Sequence, residues 1–487
     1  MSTSLIHVFV IIAITGAVFW PGLYAPLVHD DYTHLMLAAQ STWKTIVNSF
    51  FIHPQGGDDF FRPLGYISYW FDYRWAGADP FRWHLWNLGF HIINSLLVYV
   101  LARQLFRSSI ASLFTGLLFA IHGTRPEVVC WMAARFDLLA AFFSLLCLIA
   151  STFYCKTSHA RWLPVAGLCC LLALLSKESA FVIPLLAACL VLFFPPEMRR
   201  NVLRCAILFA GIAVIVFIYR SWLLHGIGGY KGANGIPTIL DFNLLRTSKA
   251  LFFRQWAILF FPINWSVSAG PLIALAAVGF FLFELICLAQ FSLAGVDMRK
   301  LWGAMLMIFA AILPVQHLLL IGQDLSGARV LYLPMIGFAM FWGVLLQGVE
   351  RSRHQKYIRY CFGHWMWLGV LLFQVAVLNH NVKVWRETAY LSQQTCRMLG
   401  DELTKDPRPV IVSNLPATWH GVFFLSNGFP QCVSLNSGQN AERIIVDDRN
   451  QESTTNHNVG LKRVFVWRDT AQALEEERGT NGNEVTP

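Results

Sequence analysis

Long apolar stretches joined by short polar connections are the feature that most constrains how this sequence folds. Of its 487 residues, 56% are hydrophobic and 13% are charged, whereas soluble proteins carry about 25% charged residues. A helix needs about 20 apolar residues to cross a bilayer. We therefore predict an all-α membrane bundle of about 11 transmembrane helices, at residues 5–23, 84–102, 109–122, 137–154, 162–176, 179–194, 203–224, 270–293, 301–321, 329–348 and 361–378.

The basic residues indicate which side of the membrane each connection occupies. Five short connections, at 103–108, 155–161, 195–204, 294–300 and 349–360, hold 13 Lys or Arg and three Asp or Glu. Segment 24–83 holds four Lys or Arg and six Asp. Since basic loops stay in the cytoplasm, we predict a cytoplasmic N-terminus, an extracytoplasmic C-terminus and a large first outer loop at 24–83. Segment 246–265 would break this alternation as a span, so we predict an interfacial or re-entrant helix there.

The composition becomes that of a soluble protein near residue 379. Short apolar runs at 409–413, 422–425, 443–446 and 463–467 lie between turn signals and predict strands. We therefore predict a transmembrane domain over 1–380 and a small extracytoplasmic α+β domain over 381–487, with a disordered tail from 475. Cys396 and Cys432 lie in this second part, either as a disulfide or as two free thiols.

Asp30 and Asp31 are adjacent carboxylates just past the first apolar stretch, at the outer membrane surface. Carboxylates held together raise each other's proton affinity, so one of them is a candidate general base. The alternative interpretation is a helix cap for the segment that begins near Tyr32. The pair alone does not decide between these two roles.

Further polar groups gather at the predicted outer ends of the spans, where charge is costly and usually marks a site. Arginine and lysine at headgroup level suit the oxygens of a phosphate, although each taken alone could be a snorkelling anchor or one half of an ion pair. The Gly-rich outer segment 220–243 is a candidate flap or a simple flexible loop. The outer polar residues are Arg62, His122, Arg125, Glu127, Arg135, Asp137, Lys177, Glu178, Arg329 and Tyr332.

Several of these residues lie in short runs that resemble the GT-C membrane glycosyltransferases, and most closely the membrane part of the TMTC group of O-mannosyltransferases and their bacterial relatives. The runs occur in the family's order over about residues 28–340. They are His29-Asp30-Asp31, Phe61-Arg62-Pro63-Leu64, Trp83-His84-Leu85-Trp86-Asn87 with His91, Phe119-Ala120-Ile121-His122, Arg125 to Val128, Arg135-Phe136-Asp137-Leu138-Leu139-Ala140-Ala141, Leu175-Ser176-Lys177-Glu178 and Ala328-Arg329-Val330-Leu331-Tyr332-Leu333-Pro334.

This resemblance implies transfer of a hexose, mannose-like, from a polyprenyl-phosphate donor to an acceptor hydroxyl on the extracytoplasmic face. It implies that the catalytic base is in the first-loop acidic pair, with Asp31 the narrower choice over Asp30. The donor phosphate would then contact Arg62, Arg135, Lys177 and Arg329. Secondary candidates are His122, Glu127, Asp137, Glu178 and Tyr332. A single displacement would invert the anomeric centre.

The sequence also departs from the family pattern. Gly123 replaces the proline expected after His122, Arg125 replaces a histidine, and the helical repeats of the eukaryotic group are not found, which puts repeat-recognised protein acceptors in doubt. We expect a glycan or protein acceptor, contact with membrane lipids and no nucleic acid. No residue pattern predicts a metal site, and a divalent metal requirement stays open. We expect the bacterial inner membrane, with the ER membrane as the alternative.

Two other functions fit parts of the sequence. A lipid-linked glycan polymerase or ligase would use a polyprenyl diphosphate donor and would need a larger cavity and a larger basic cluster. A lipid transporter or flippase would need charges along a route across the membrane and internal repeats. The sequence shows no such repeats, and its outer charges gather on one face.

Overall fold

The fold was analysed in a computed structural model. It describes residues 3–52, 60–232, 235–240, 243–268, 270–271, 274–275, 277–282, 295–318, 321–351, 357–447 and 463–476.

Helices make up most of the described chain. The α-helices are Thr3–Phe19, Asp30–Gln40, Trp43–Asn48, Pro63–Ala76, Pro80–Leu105, Ser109–Ile121, Pro126–Val129, Arg135–Thr157, Trp162–Leu174, Ile183–Cys189, Pro196–Leu223, Leu244–Lys249, Gln255–Phe260, Met298–Ile312, Pro334–Arg351, Tyr357–Lys405 and Phe429–Ser437. Turns of 3-10 helix are Trp20–Tyr24, Met132–Ala134, Glu178–Val182, Leu190–Leu192, Thr238–Leu240, Leu313–Leu318, Ala328–Leu331 and Ala441–Arg443, and Ala250–Arg254 is a π-helix.

The membrane bundle is built around the helix Arg135–Thr157, which is largely buried. It packs against Trp162–Leu174 on one side and Pro80–Leu105 on another. Within the described residues, six helices are long and apolar enough to cross a membrane, and four more apolar helices are shorter. The fold is therefore a helical membrane bundle. Of the predicted spans, 270–293 lies largely outside the described residues, so the count of 11 stays a prediction.

In the described residues of segment 24–83, the predicted first outer loop, three α-helices lie before Pro80: Asp30–Gln40, Trp43–Asn48 and Pro63–Ala76. The guanidinium of Arg74 donates to the carbonyl oxygens of Ala38 at 3.2 Å and Ser41 at 2.9 Å, which ties the third helix to the end of the first. These hydrogen bonds hold two of the loop helices together.

A buried ion pair joins this outer loop to the centre of the bundle. Arg135 donates from Nη1 to Asp72 Oδ2 at 2.6 Å and to Ser68 Oγ at 2.7 Å, and from Nε to Asn87 Oδ1 at 2.5 Å. The Arg135 side chain is fully buried, and Asp72 is 5% exposed. Its donors bind residues of the fold, an arrangement that favours a structural role for Arg135, and the role of phosphate ligand that the resemblance implies stays a prediction.

The C-terminal part contains the predicted strands. Within residues 357–447 and 463–476, the strands are β1 Val410–Ser413, β2 Thr418–Trp419, β3 Val422–Phe423, β4 Ile444–Asp447, β5 Arg463–Arg468 and β6 Ala473–Glu476. Four of them form a sheet of order β4-β1-β5-β6, with β1 parallel to both neighbours and β5 antiparallel to β6. The remaining two form a short antiparallel hairpin.

The long helix Tyr357–Lys405 connects this part to the bundle and runs without a break through the predicted domain boundary at 380. A disulfide joins Cys396 on this helix to Cys432 on the helix Phe429–Ser437. Of the two alternatives for these cysteines, the structure therefore has the bonded one. The predicted disordered tail from 475 is wrong at its start, because residues 475 and 476 pair within the strand Ala473–Glu476. The rest of that tail, from 477 onward, lies outside the described residues.

Removing Asp72 should reveal the structural role of Arg135. Asp72→Ala leaves a buried guanidinium without its counter-ion, which costs about 3–5 kcal/mol of stability. We expect the melting temperature of the detergent-solubilised protein to fall clearly. Glu387→Ala is the control, because the Lys383–Glu387 pair is exposed and exposed pairs contribute little. An equal and small shift in both variants would contradict the structural assignment.

Candidate functional site

A cavity of about 270 Å³ lies at the predicted outer end of the bundle. Its charged lining residues are Arg62, Asp137, Lys177, Glu178, Arg220 and Arg329. These are four cations and two carboxylates, so the lining carries a net charge of +2 when all are ionised. A cavity with this charge attracts an anion.

The cations of the cavity are held in place by carboxylates. Arg62 Nε donates to Glu178 Oε1 at 3.1 Å and to Oε2 at 3.0 Å, and Arg62 Nη2 lies 2.9 Å from Glu178 Oε2. Lys177 Nζ lies 2.6 Å from Asp137 Oδ2. These pairs fix the direction of the cations and leave part of each side chain exposed toward the cavity.

Glu127 fixes the third cation although it does not itself line the cavity in the described structure. Its carboxylate accepts from the guanidinium of Arg329 and, at 3.0 Å, from the Arg329 backbone N–H. Glu127 is 2% exposed. The hydrogen bond from the Arg329 N–H fixes the start of the turn Ala328–Leu331. Glu127 therefore positions both the side chain and the backbone of Arg329.

Arg220 is a cavity residue that the sequence reasoning did not select. Its Nη2 lies 3.8 Å from Glu178 Oε1, so Glu178 interacts with two cations. Arg220 falls inside the predicted span 203–224, and a charge within an apolar stretch was the available signal. Sequence alone did not show that this end of the helix faces the same cavity as Arg62.

Apolar side chains form the rest of the cavity wall. The Gly-rich outer segment contributes Ile227, Gly228, Gly229 and Tyr230 to the lining. The other apolar lining residues are Phe60, Phe181, Phe217, Ile239, Ala311, Pro314, Val315, Leu318, Val330 and Leu333, beside the hydroxyl-bearing Ser179 and Thr238. The cavity therefore combines a cationic region with an apolar surface, the combination that an anionic lipid needs.

Asp31 lies outside this cavity and is fully buried. Its Oδ1 accepts from the Ala133 N–H at 2.9 Å, and its Oδ2 accepts from the Val28 N–H at 3.1 Å. Burial raises the pKa of the Asp31 carboxyl to about 8, against the opposing effect of these N–H donors. With both oxygens engaged, Asp31 anchors the loop to the bundle.

Asp30 has a different environment from its neighbour. Its side chain is 28% exposed, and its Oδ1 lies 3.0 Å from His29 Nδ1. Burial tends to raise the pKa of this carboxyl, but His29, His34 and the amide of Asn427 outweigh it and lower the pKa below its ordinary value. Asp30 is thus the ionised and accessible member of the pair.

The backbone at His29, which precedes the acidic pair, is strained. Its φ of 47° and ψ of −123° are unusual for a residue with a side chain. The backbone N–H of His29 donates to Phe424 O at 3.0 Å, and its Nε2 lies 3.0 Å from Ser426 Oγ. Such conformations persist only where the surroundings over-determine them and cluster at functional sites.

Two aromatic rings lie between the acidic pair and the cavity cations. Trp131 and Phe423 stack with centroids 4.8 Å apart. The Arg329 guanidinium lies 4.6 Å from the Trp131 centroid and 5.0 Å from that of Phe423. The His29 ring lies 5.3 Å from Phe423 and 6.2 Å from Trp131. The acidic turn and the cavity edge therefore contact the same pair of rings.

His122 and Tyr332, two further predicted site residues, are buried and do not line the cavity in the described structure. His122 Nε2 lies 2.8 Å from Leu259 O. The Tyr332 hydroxyl lies 2.8 Å from His91 Nδ1 and accepts from Asn94 Nδ2 at 3.2 Å. These contacts are typical of core hydrogen bonding.

Sequence comparisons relate the chain to protein mannosyltransferases. The family model described as dolichyl-phosphate-mannose-protein mannosyltransferase matches residues 77–225. Protein O-mannosyl-transferase tmtc2 of Xenopus laevis is 27% identical over an alignment of 319 residues that covers 57% of this chain and 38% of that protein. TMTC3 of Homo sapiens is 22% identical over an alignment of 456 residues that covers 83% of this chain and 48% of that protein. The chain spans less than half the length of these relatives.

Two solved structures share the fold. Archaeal oligosaccharyltransferase AglB from Archaeoglobus fulgidus, in complex with an inhibitory peptide and a dolichol-phosphate, superposes with a TM-score of 0.55 at 12% identity, over 92% of this chain and 65% of that one. ArnT from Cupriavidus metallidurans, bound to undecaprenyl phosphate, superposes with a TM-score of 0.50 at 14% identity, over 96% of this chain and 94% of that one. This chain therefore shares the fold of the AglB and ArnT structures, and the resemblance to O-mannosyltransferases is confirmed by the family model and the relatives above.

Proposed function

We propose that this protein transfers a hexose, mannose-like, from a polyprenyl-phosphate donor to an acceptor hydroxyl on the extracytoplasmic face of a membrane. The observation that carries the proposal is the cavity itself, because it joins four cations to an apolar wall at one end of the bundle. The named activity of the tmtc2 and TMTC3 relatives supports hexosyl transfer. The polyprenyl phosphates bound in the AglB and ArnT structures support the donor class.

The cavity suits the phosphate and the first part of the lipid. Arg62, Lys177 and Arg329 would hold the phosphate oxygens, since guanidinium and ammonium groups form strong charge-assisted hydrogen bonds with them. The apolar wall around Val315 and Leu333 would contact the prenyl chain. The carboxylates paired with Arg62, Lys177 and Arg329 keep these three cations ordered before the donor binds.

Asp30 is the better candidate for the base than Asp31. A base must reach the acceptor proton and must be ionised at the working pH. Asp30 is partly exposed and has a lowered pKa, whereas Asp31 is fully buried with both oxygens bound to backbone N–H groups. In this proposal Asp31 holds the turn and Asp30 accepts the proton.

The reaction then follows as a single displacement. Asp30 accepts the proton of the acceptor hydroxyl while that oxygen forms a bond to the anomeric carbon. The bond between the anomeric carbon and the phosphate oxygen breaks, and the electron pair leaves with the lipid phosphate. Arg62, Lys177 and Arg329 stabilise the charge that develops on that phosphate. Attack opposite to the leaving group inverts the anomeric centre.

One observation favours the alternative of a diphosphate-linked donor, as in a glycan polymerase or ligase. Arg220 adds a fourth cation beside Glu178, more than one monophosphate needs. Comparing monophosphate and diphosphate donors in one transfer assay separates the two. We retain the monophosphate donor as the first choice, with a glycan or protein acceptor and a bacterial inner membrane or ER location as further proposals.

Substituting each acidic residue should separate their roles. Asp30→Asn removes the proton acceptor, so transfer should fall by about 10²–10⁴-fold while polyprenyl-phosphate binding is retained. Asp31→Asn places amide hydrogens against the N–H groups of Val28 or Ala133, so we expect a lower melting temperature. Near wild-type transfer by Asp30→Asn would contradict its role as base.

The pH profile of the wild-type protein tests the same assignment independently. With Asp30 as base, kcat/KM should be flat over about pH 6 to 8, because a carboxylate of lowered pKa stays ionised throughout. With Asp31 as base, the rate should climb with pH and level off only above about 8, the pKa of its carboxyl.

Arg62 is the cavity cation that can be removed with least disturbance, because Glu178 retains Arg220 nearby. Arg62→Ala should weaken binding of polyprenyl phosphate about tenfold or more, the usual loss for one hydrogen bond to a charged group. Arg82→Ala is the control, as an exposed arginine of the same loop. Unchanged affinity in Arg62→Ala, measured by calorimetry in detergent, would contradict the donor site.

A further inference from the structure

The C-terminal part of the chain reaches the acidic turn through residues 420–428, here called the 420–428 segment. Asn427 donates from its side-chain amide to Asp30 Oδ1. Two residues of the same segment contact His29, through Phe424 O at 3.0 Å and Ser426 Oγ at 3.0 Å. Both His29 and Asp30 are therefore held by residues nearly 400 positions away in the sequence.

The same segment is docked on the membrane bundle at several points. Phe423 stacks on Trp131 and contacts the Arg329 guanidinium. Asn264 donates from Nδ2 to the carbonyl oxygen of His420 at 2.8 Å. At Gly421, φ is +80°, and an added Cβ would lie 1.9 Å from the Asp324 carbonyl oxygen. This close approach explains the glycine and fixes the hairpin against the bundle.

The far end of the segment is equally constrained. Gly428 has φ +77°, and a Cβ there would lie 2.4 Å from the His29 carbonyl oxygen. The helix Phe429–Ser437 follows at once, and its Cys432 is bonded to Cys396 on the long helix. Asn427 is therefore presented to Asp30 by a backbone that is fixed on both sides.

We propose that Asn427 is a positioning residue for the Asp30 carboxylate, so that the C-terminal part of the chain completes the active site. This inference rests on the proposed role of Asp30 as base. The Asn427 amide orients one carboxylate oxygen and leaves the other for the acceptor proton. The titratable groups that face Asp30 are His29 and Asp31 beside it and His34 on the same helix. Asn427 is the neutral donor among them.

The test compares Asn427→Asp, Asn427→Ala and Asn427→Gln in the full chain. Asn427→Asp replaces a donor with a second carboxylate, so kcat should fall about tenfold and the acid limb of kcat/KM should move to higher pH. KM for the donor should not change, because the phosphate site is intact. Asn427→Gln keeps the amide and should recover much of the rate lost in Asn427→Ala. Asn440→Ala, an exposed asparagine of the same part, is the control.

The outcomes separate this inference from the proposal it rests on. Full activity in Asp30→Asn would mean that the base assignment fails. Loss of activity in Asp30→Asn, with an unchanged rate and pH profile in Asn427→Asp, would overturn the positioning role alone. A loss in all three Asn427 variants with no movement of the acid limb would also overturn it, in favour of a structural role.

A double-mutant cycle keeps the contact testable without activity. Asp30→Asn and Asn427→Asp each remove the present pairing, and the double variant restores a carboxylate–amide pair with the partners exchanged. We expect the double variant to melt at a higher temperature than Asn427→Asp alone. Strictly additive effects on melting would contradict the contact.

Discussion

Pairing of partly buried cations with carboxylates is the interaction on which the cavity end of this bundle depends. A charge removed from water needs a counter-ion, and removing one partner leaves the other uncompensated. Arg135–Asp72, Arg62–Glu178, Lys177–Asp137 and Arg329–Glu127 each join elements distant in sequence. The pairs differ in exposure. Arg135 is closed off within the fold, whereas the other three cations line the cavity, and this difference separates a structural pair from candidate ligands.

A second division concerns the two adjacent aspartates. Asp31 anchors the turn by accepting two backbone N–H bonds, and that anchoring leaves Asp30 at the surface next to His29. The strained His29 backbone donates its N–H to Phe424 of the 420–428 segment, and the His29 ring lies 6.2 Å from the Trp131 ring of the bundle. The surroundings of the proposed base therefore come from three regions: the predicted first outer loop, residues 131–134 of the bundle and the C-terminal part.

Sequence patterns predicted the helical membrane bundle, the C-terminal strands and the cations of the cavity, because apolar length and charges at membrane depth are local signals. Arg62, Lys177 and Arg329 are brought to one cavity. The pattern could not distinguish Arg135 from them, because its partner Asp72 is fixed only by the tertiary fold. The absence of Arg220 and Asn427 from the candidates has the same cause, as has the fact that the sequence did not show the different surroundings of Asp30 and Asp31. Burial and contacts with residues distant in sequence depend on the tertiary fold, so local patterns in one sequence do not predict them.

Binding of the donor phosphate by the cavity cations underlies the proposed reaction. The most direct measurement is a cryo-electron microscopy structure of the protein in lipid nanodiscs with undecaprenyl phosphate. We expect phosphate density within hydrogen-bond distance of Arg62, Lys177 and Arg329, with the prenyl chain along the apolar wall near Val315 and Leu333. Phosphate density at another site, with these three cations still bound only to their carboxylates, would contradict it.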